Sequence, residues 1–335
     1  MSVIRQDPCT KEWVIIATER GRRPHDFRRP DDSPAERPRE ASCPFCPGNE
    51  GQTPPEVFRV RDSQRNGWTI RVTSNKFPAL SPKGELRSTK EATLLEEIEG
   101  LGYHEVIVET PLHNRGTPLM DGSELERILR VFQTRYRALR EKPHIKHILI
   151  FKNHGEKAGT SLGHPHSQLV AMPVVPGMVQ REYEVAANHY KATGRSLYAD
   201  LVAAEIRENS RVILKTDGFL AFHPFASRVP FETWIVPRHP QTSFGEVTSA
   251  ELAELGQVLR QILYGLYTAL GNPDFNYMIH SAFTDDASKA TYRWRVQILP
   301  RSSTIAGFEL GTGIFLNTML PEETALFMKP FVATD

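Results

Sequence analysis

The chain contains two kinds of hydrophobic pattern, and each predicts a different element of secondary structure. Short runs rich in β-branched and aromatic residues predict strands. They cover 11–18, 68–73, 103–110, 147–151 and 164–172, and then 211–214, 219–222, 231–237, 275–279 and 294–300.

Two longer segments carry apolar residues three or four positions apart, which is the pattern of an amphipathic helix. A capping box of Ser123 and Glu126 is predicted to begin the first helix, and one of Thr248 and Glu251 the second. The predicted inner faces consist of Leu125, Ile128, Leu129, Phe132, Tyr136 and Leu139, and of Leu252, Leu255, Leu259, Ile262 and Leu266.

These elements follow one another in the same order in both halves of the chain. His113 precedes His166 by 53 residues, and His239 precedes Arg295 by 56 residues. This agreement predicts an internal duplication. In the second copy Arg293 and Arg295 occupy the positions of a histidine pair, so only the first copy can carry out imidazole chemistry.

The predicted fold class is α+β, with two related half-folds that share an antiparallel-rich sheet with helices packed on it. We predict that the halves comprise residues 1–176 and 177–335, and that 178–209 forms one or two linking helices.

Composition narrows the classes of function. The 335 residues include 41 Lys+Arg and 40 Asp+Glu, and this balance argues against a nucleic-acid or membrane-surface binder. Neither a signal-peptide pattern nor a run of membrane-spanning length is visible in the sequence, so we expect a cytoplasmic protein. Three cysteines do not make a disulfide framework.

Residues 159–168 carry the strongest chemical signal. His164 and His166 are predicted to lie on the same face of an extended segment. A chain with 12 histidines can contain such a pair by chance, but the flanking residues favour a function. Gly159 and Ser161 lie in a loop whose backbone N–H groups can approach an anion, and Gln168 adds an amide donor. The combination indicates phosphoryl or nucleotidyl chemistry.

Two other segments offer candidate ligands. Cys43 and Cys46 form a C-x-x-C motif, which could be a redox pair, half of a metal site or a chance occurrence. Prolines on both sides disfavour the redox interpretation, and the candidates for further ligands are His113, His164 and His166. The basic segment that contains Arg20 and Arg23 could reach a phosphate.

Taken together, these residues resemble the galactose-1-phosphate uridylyltransferase family of the histidine-triad superfamily. The resemblance covers nearly the whole chain. The matching motifs are Asp7-Pro8 with 13–15, Arg20-x-x-Arg23-Pro24, the C-x-x-C, Asn75-x-Phe77, Pro111-x-His113, Phe151-x-Asn153 and Gly159-x-Ser161-x-x-His164-Pro165-His166-x-Gln168.

The resemblance implies two histidine-triad-like halves and a double displacement. His166 would attack the α-phosphorus of a nucleotide sugar such as UDP-glucose, and a second sugar 1-phosphate would then accept the nucleotide. A neutral imidazole suits both steps because it is a nucleophile and a good leaving group. Gln168 would donate to a phosphate oxygen, and further substrate contacts are implied for Arg20, Arg23, Asn75, Phe77, Asn153, Gly159 and Ser161.

The resemblance also implies a structural zinc site formed by Cys43, Cys46, His113 and His164. Because the family is dimeric and each copy leaves a sheet edge to pair, we expect a homodimer.

Two departures from the family pattern matter. Glu182 and His280 match half of a second metal site, but Arg295 and Gln297 replace its H-x-H motif. We expect no metal there and an ion pair between Arg295 and Glu182 instead.

In the C-terminal segment only Phe308 and Gly311 match the residues that reach galactose 1-phosphate, and this version looks more like the ADP-glucose phosphorylase branch. The predicted function is uridylyl transfer from UDP-glucose to galactose 1-phosphate, within galactose and carbohydrate metabolism. The alternatives are an adenylyl-transferring phosphorylase that uses phosphate, and an inactive zinc-stabilised nucleotide-binding protein.

Overall fold

The computed structural model describes residues 2–20, 37–62, 67–85, 88–89, 94–283 and 291–332, with the backbone alone for Arg20, Ser88 and Thr89. The strands are β1 Val3–Gln6, β2 Trp13–Ile16, β3 Glu56–Arg61, β4 Trp68–Ser74, β5 Ser88–Thr89, β6 Glu97–Ile98, β7 Tyr103–Val108, β8 His147–His154, β9 His166–Met172, β10 Val212–Lys215, β11 Phe219–Phe222, β12 Thr233–Pro237, β13 Phe275–His280, β14 Arg295–Pro300 and β15 Phe315–Asn317. The α-helices are α1 Gly122–Arg140, α2 Gly177–Thr193, α3 Leu197–Glu208, α4 Ser249–Leu270, α5 Gly307–Thr312 and α6 Pro321–Val332.

Ten strands form one antiparallel sheet, in the order β10-β11-β12-β14-β13-β8-β9-β7-β4-β3. Counted from the centre outwards, the first half has the order β8-β9-β7-β4-β3 and the second half β13-β14-β12-β11-β10. The two halves therefore arrange their five strands in the same way. The halves meet where β8 pairs with β13, with Phe151 opposite Met278. This arrangement confirms the predicted α+β fold with duplicated halves. The division at residues 176 and 177 stays a prediction, because the sheet itself is continuous.

The two amphipathic helices pack on one face of the sheet. All of the predicted inner-face residues of α1 and α4 are buried in one large apolar cluster with the sheet. The helices approach closely at two glycines, since a Cβ on Gly256 would lie 2.7 Å from the carbonyl oxygen of Gly122. The predicted capping box at Thr248 and Glu251 is confirmed.

The capping box predicted at Ser123 and Glu126 is wrong. The N-cap is Asp121, whose carboxylate accepts from the backbone N–H groups of Ser123 and Glu124, and the carboxylate of Glu124 accepts from the N–H of Asp121. Aspartate caps a helix as well as serine does, and the earlier start places Gly122 in the first turn, against α4.

The opposite face of the sheet differs between the two halves. In the second half, α2 and α3 cover it and bury an apolar cluster that includes Tyr183, Tyr198 and Trp234. These helices confirm the prediction for 178–209. In the first half a smaller cluster includes Cys43, Phe45 and the strand residues Val106 and Val108. The first half therefore leaves room for a site on this face.

Shorter elements complete the fold. A separate sheet has the order β1-β2-β15, and β5 pairs with β6. In the described part of the chain, none of the helices has both the length and the apolar character needed to span a membrane.

Candidate active site

Strand β9 places His166 and Gln168 on the face of the sheet that the helices leave open. Side chains alternate along a strand, so Leu169 and Ala171 enter the core under α1, while His166 and Gln168 point to the other side. The strand begins at His166, two residues later than predicted. His164 instead lies in the bend before the strand, and its ring turns towards the cysteines.

Four side chains form a cluster that could hold a metal ion: Cys43, Cys46, His113 and His164. Their ligand atoms lie within 4.8 Å of one another. His164 Nδ1 is 3.7 Å from Cys43 Sγ and 3.6 Å from Cys46 Sγ, and His113 Nδ1 is 3.6 Å from Cys46 Sγ. The cluster links the C-x-x-C loop to the segments that follow β7 and precede β9.

Surrounding backbone groups orient this cluster. His164 Nε2 donates to the carbonyl oxygen of Thr110 at 2.8 Å, which leaves the Nδ1 lone pair facing the cysteines. The backbone N–H of Glu40 donates to Cys46 Sγ at 3.3 Å. Burial lowers the pKa of His164 to about 4, so its ring is neutral and able to act as a ligand.

His166 is held in the tautomer that a nucleophile needs. Its Nδ1 donates to the carbonyl oxygen of His164 at 2.8 Å, and therefore its lone pair is on Nε2. Burial lowers the pKa of His166, and the nearby charge of Lys152 lowers it further. The ring packs against Phe45 at a centroid distance of 5.3 Å. The result is a neutral, fixed imidazole.

Gln168 is oriented by a histidine that the sequence reasoning missed. His104 Nε2 donates to Gln168 Oε1 at 2.8 Å, and the backbone N–H of Ala79 donates to His104 Nδ1 at 3.1 Å. A sequence signal existed, because His104 lies in a strand with Val106 and Val108 at the same alternation. Its significance depends on the pairing that places Val106 opposite Gln168.

A buried ion pair beneath β9 was also missed. Lys152 Nζ donates to Glu109 at 2.8 Å and to the backbone carbonyl of His166 at 3.0 Å. Thr117 and Ser167 also donate to the Glu109 carboxylate. Burial raises the pKa of Glu109, but the Lys152 ammonium and these donors outweigh it and hold the pKa below its usual range.

His166 lies where two cavities meet. One cavity, of about 420 Å³, is lined by Phe45, Asn75, Phe77 and Gln168, and by other residues of the first half. The other, of about 490 Å³, is lined by Asn153 and the loop 160–165, and also by Tyr267, Asn272 and Asp274 of the second half. Ser161, Leu162 and His166 line both cavities.

The predicted substrate residues are thus divided between the two cavities. Asn75 and Phe77 lie in one and Asn153 in the other, while Ser161 adjoins both. Gly159 has a φ of 88° and its carbonyl accepts a long hydrogen bond from Asn153 Nδ2, at 3.5 Å.

Two further predicted substrate residues cannot be placed. Arg20 ends a short 3-10 helix, and its side chain is outside the described residues, as is the whole of Arg23.

The equivalent position in the second half is filled. Arg295 makes a two-pronged ion pair with Glu182, at 2.6 Å and 3.0 Å, and both side chains are fully buried. Tyr292 also donates to Glu182, at 3.1 Å. Burial raises the pKa of Glu182, but Arg295 outweighs it and keeps the pKa below its usual value. This is the ion pair expected from the sequence.

Family models match both halves of the chain, and named relatives match nearly all of it. Residues 1–176 match the family described as "Galactose-1-phosphate uridyl transferase, N-terminal domain", and residues 121–329 match a domain of unknown function, DUF4921. An ADP-glucose phosphorylase of Arabidopsis thaliana is 35% identical over 331 residues, covering 97% of this chain and 92% of the relative. A galactose-1-phosphate uridylyltransferase of Thermotoga maritima is 28% identical, with 97% of each chain covered.

Solved structures show the same relationship over the whole length. The crystal structure of an Arabidopsis thaliana ADP-glucose phosphorylase with bound ADP-glucose has a TM-score of 0.83 and 32% identity, and 98% of each chain is covered. A uridylyltransferase structure has a TM-score of 0.76 and 28% identity, with 99% of this chain and 98% of that chain covered. The chain therefore belongs to the galactose-1-phosphate uridylyltransferase family, which includes the ADP-glucose phosphorylase branch, and it is an enzyme of the nucleotidyltransferase type.

Proposed function

We propose that the chain transfers a nucleotidyl group from a nucleotide sugar to a second phosphate compound, through a covalent intermediate on His166. The observation that carries this proposal is the fixed His166 tautomer, with Nε2 free to react at the junction of two cavities. One cavity would receive the nucleoside, against Phe45, Asn75 and Phe77, and the other the sugar.

In the first half-reaction the Nε2 lone pair of His166 attacks the α-phosphorus. The bond from this phosphorus to the bridging oxygen breaks, and its electron pair leaves with the sugar 1-phosphate. The positive charge that develops on the ring is shared with Nδ1–H, which already donates to the carbonyl of His164. No proton transfer is required, because the leaving group is a stable phosphate anion.

In the second half-reaction a phosphate oxygen of the acceptor attacks the same phosphorus, and the bond to Nε2 breaks. Gln168 stabilises both transition states by donating to a nonbridging oxygen, and Ser161, which adjoins both cavities, contacts the same phosphates. An amide cannot exchange a proton with these oxygens, and this property suits transfer between phosphates better than hydrolysis.

We propose zinc for the cluster of Cys43, Cys46, His113 and His164. Tetrahedral zinc, with bonds of about 2.3 Å to sulfur and 2.0 Å to nitrogen, separates the sulfur and nitrogen atoms by about 3.5 Å. The observed distances of 3.6 Å and 3.7 Å lie within about 0.2 Å of that value. When bound, the ion would have a structural role, since four protein ligands fill its coordination sphere. By fixing His164, the ion would also fix the backbone carbonyl that accepts the hydrogen bond from His166 Nδ1.

Two pairs of substrates fit the family. Uridylyl transfer from UDP-glucose to galactose 1-phosphate is the first candidate, because several relatives are named for this activity. Adenylyl transfer from ADP-glucose to phosphate is the second. It is favoured by the 35% identity to an ADP-glucose phosphorylase and by a C-terminal segment in which only Phe308 and Gly311 match the galactose-1-phosphate motif.

An exchange assay with both nucleotide sugars and both acceptors tests the proposal. We expect one donor and acceptor pair to exchange rapidly, and His166→Gly to abolish exchange, since the nucleophile is lost. His239→Gly is the matched control, because His239 is exposed and lies in the second copy. Undiminished exchange in His166→Gly would refute the covalent route, and nucleotide binding without exchange in the unaltered protein would indicate an inactive binding protein.

A further inference from the structure

We propose that His104 is a positioning residue, which acts through Gln168 by fixing which end of that amide faces the substrate phosphate. The inference rests on the proposed function, because it assigns a role within the same transfer step. His104 does not need to touch the substrate. Four hydrogen bonds, two through His104 and two through Asn75, determine the orientation of the Gln168 side chain.

The first of these bonds fixes the tautomer of His104. The backbone N–H of Ala79 donates to His104 Nδ1 at 3.1 Å, so Nδ1 carries the lone pair and Nε2 carries the proton. His104 Nε2 is therefore the donor in its 2.8 Å contact with Gln168 Oε1. Only the oxygen of the Gln168 amide can occupy this position, because the NH₂ end would place two donors against each other.

Asn75 supports the same orientation. Its Oδ1 accepts from the backbone N–H of Phe77 at 2.9 Å, which turns its Nδ2 towards Gln168. Asn75 Nδ2 lies 3.1 Å from His104 Nε2 and 3.4 Å from Gln168 Oε1. Because His104 Nε2 carries a proton and cannot accept, Asn75 Nδ2 donates to Gln168 Oε1, on which both nitrogens converge. Both lone pairs of Oε1 are thus engaged. Among the described residues Gln168 Nε2 has no hydrogen-bond partner, and Gln168 lines the cavity that contains His166. The amide presents its donor to the phosphate.

The second half of the molecule provides an internal comparison. Val106 lies opposite Gln168, and Trp234 lies opposite Gln297. The residues two positions before Val106 and before Trp234 are therefore equivalent to each other. That residue is His104 in the first half and Glu232 in the second.

Glu232 reverses the amide of Gln297. Gln297 Nε2 donates to Glu232 at 2.7 Å, and its Oε1 accepts from His280 at 2.9 Å. Both ends of this buried amide are therefore engaged by neighbouring side chains, and its nitrogen faces a carboxylate. The residue at this position, His104 or Glu232, therefore determines whether the oxygen or the nitrogen of the glutamine amide is bound.

Freed from His104, the Gln168 amide can rotate and present its oxygen to the phosphate, and this oxygen repels an anion. Loss of one donor to a developing oxyanion lowers kcat by about 10²–10³-fold. A Gln168 amide that is present but no longer oriented should lower kcat by less than this. For His104→Ala we expect kcat to fall by about 10- to 100-fold. KM for the nucleotide sugar should change little, since the base and sugar contacts remain.

The test measures kcat, KM and the single-turnover rate at which nucleotide is attached to His166. We expect H104Q to retain activity within about threefold of the parent, because its Nε2 replaces that of histidine. H104E should lose at least as much as Q168A, because it would turn the amide as Glu232 does. The double variant H104A/Q168A should be no slower than Q168A. Melting temperature and metal content provide the folding controls, and H104Q and H104E keep the test decisive if H104A does not fold.

Three results would overturn the inference in a parent enzyme that does attach nucleotide: an unchanged kcat in H104A, full activity in H104E, or losses in the double variant that multiply. A parent enzyme that attaches no nucleotide from any donor refutes the proposed function, and this inference with it. The two failures are therefore distinct.

Discussion

At the scale of single residues, equivalent positions in the two halves hold side chains with very different surroundings. His166 and Arg295 occupy equivalent places at the start of β9 and β14. His166 is neutral and adjoins two cavities. Arg295 is buried, and Glu182 neutralises its charge. Its guanidinium group lies over the ring of Trp234, 4.4 Å from the ring centroid. In the second copy this position therefore contributes a buried ion pair and packing.

Breaking this ion pair should therefore affect stability. We expect Arg295→Met to lower the free energy of unfolding by about 3–5 kcal/mol, because it leaves the buried carboxylate of Glu182 without its partner. Urea unfolding at pH 7 measures this loss. The control is Arg59→Met, which removes the more exposed ion pair with Glu56 and should cost less than about 1 kcal/mol. An Arg295→Met protein as stable as the control variant would contradict the account.

The same pair predicts the dependence of stability on pH. The pKa of Glu182 is lower in the folded protein than its ordinary value, so its contribution is complete above the unfolded pKa, about 4.3. The contribution is lost as the pH falls through the folded pKa. We expect the parent to lose unfolding free energy below about pH 4 more steeply than the Arg295→Met, Glu182→Leu double variant. Parallel curves for the two proteins would refute this.

At the scale of elements, β9 is held by the adjacent strand β8 and by the helices that cover one face of the sheet. Lys152 of β8 contacts the backbone carbonyl of His166 and the carboxylate of Glu109, and both side chains are fully buried. The helices α1 and α4 cover this face of the sheet. The proposed nucleophile, His166, thus begins a strand that buried contacts hold in place.

Substitution of Lys152 tests this support. Lys152→Met leaves Glu109 buried without its cation, and we expect unfolding free energy to fall by about 3–5 kcal/mol. A second change, Glu109→Leu, should restore much of that stability, because an apolar pair of similar size replaces two charges. Thermal and urea unfolding of the single and double variants measure the effect. A double variant less stable than Lys152→Met would contradict it.

The elements also show what local sequence can predict. The inner faces of α1 and α4 and the cap at Thr248 were predictable, because they depend on residues three or four apart. The choice of Asp121 over Ser123 was not, since both are good caps and the start of α1 lies against α4. The role of His104 was hidden for a similar reason. Its partner Gln168 is 64 residues away, and strand register alone brings them together.

At the scale of the whole molecule, one continuous sheet carries two copies of a site, and the helices decide which copy is open. The linking helices α2 and α3 cover the second copy, while the first is bordered by the C-x-x-C loop and two cavities. The second half also contributes Asn272 and Asp274 to one cavity. Both halves therefore line the candidate site, although its histidine pair belongs to the first. The homodimer expected from the sequence stays a prediction.

The most direct test of the account is to locate the covalent nucleotide. The enzyme is mixed with a nucleotide sugar in the absence of acceptor, and intact-mass analysis and peptide mapping follow. We predict one nucleotidyl group per chain, attached to His166, released when the acceptor is added and absent in His166→Gly. Rapid formation of sugar 1-phosphate without a nucleotide on the protein, or a nucleotide attached to another residue, would contradict the account.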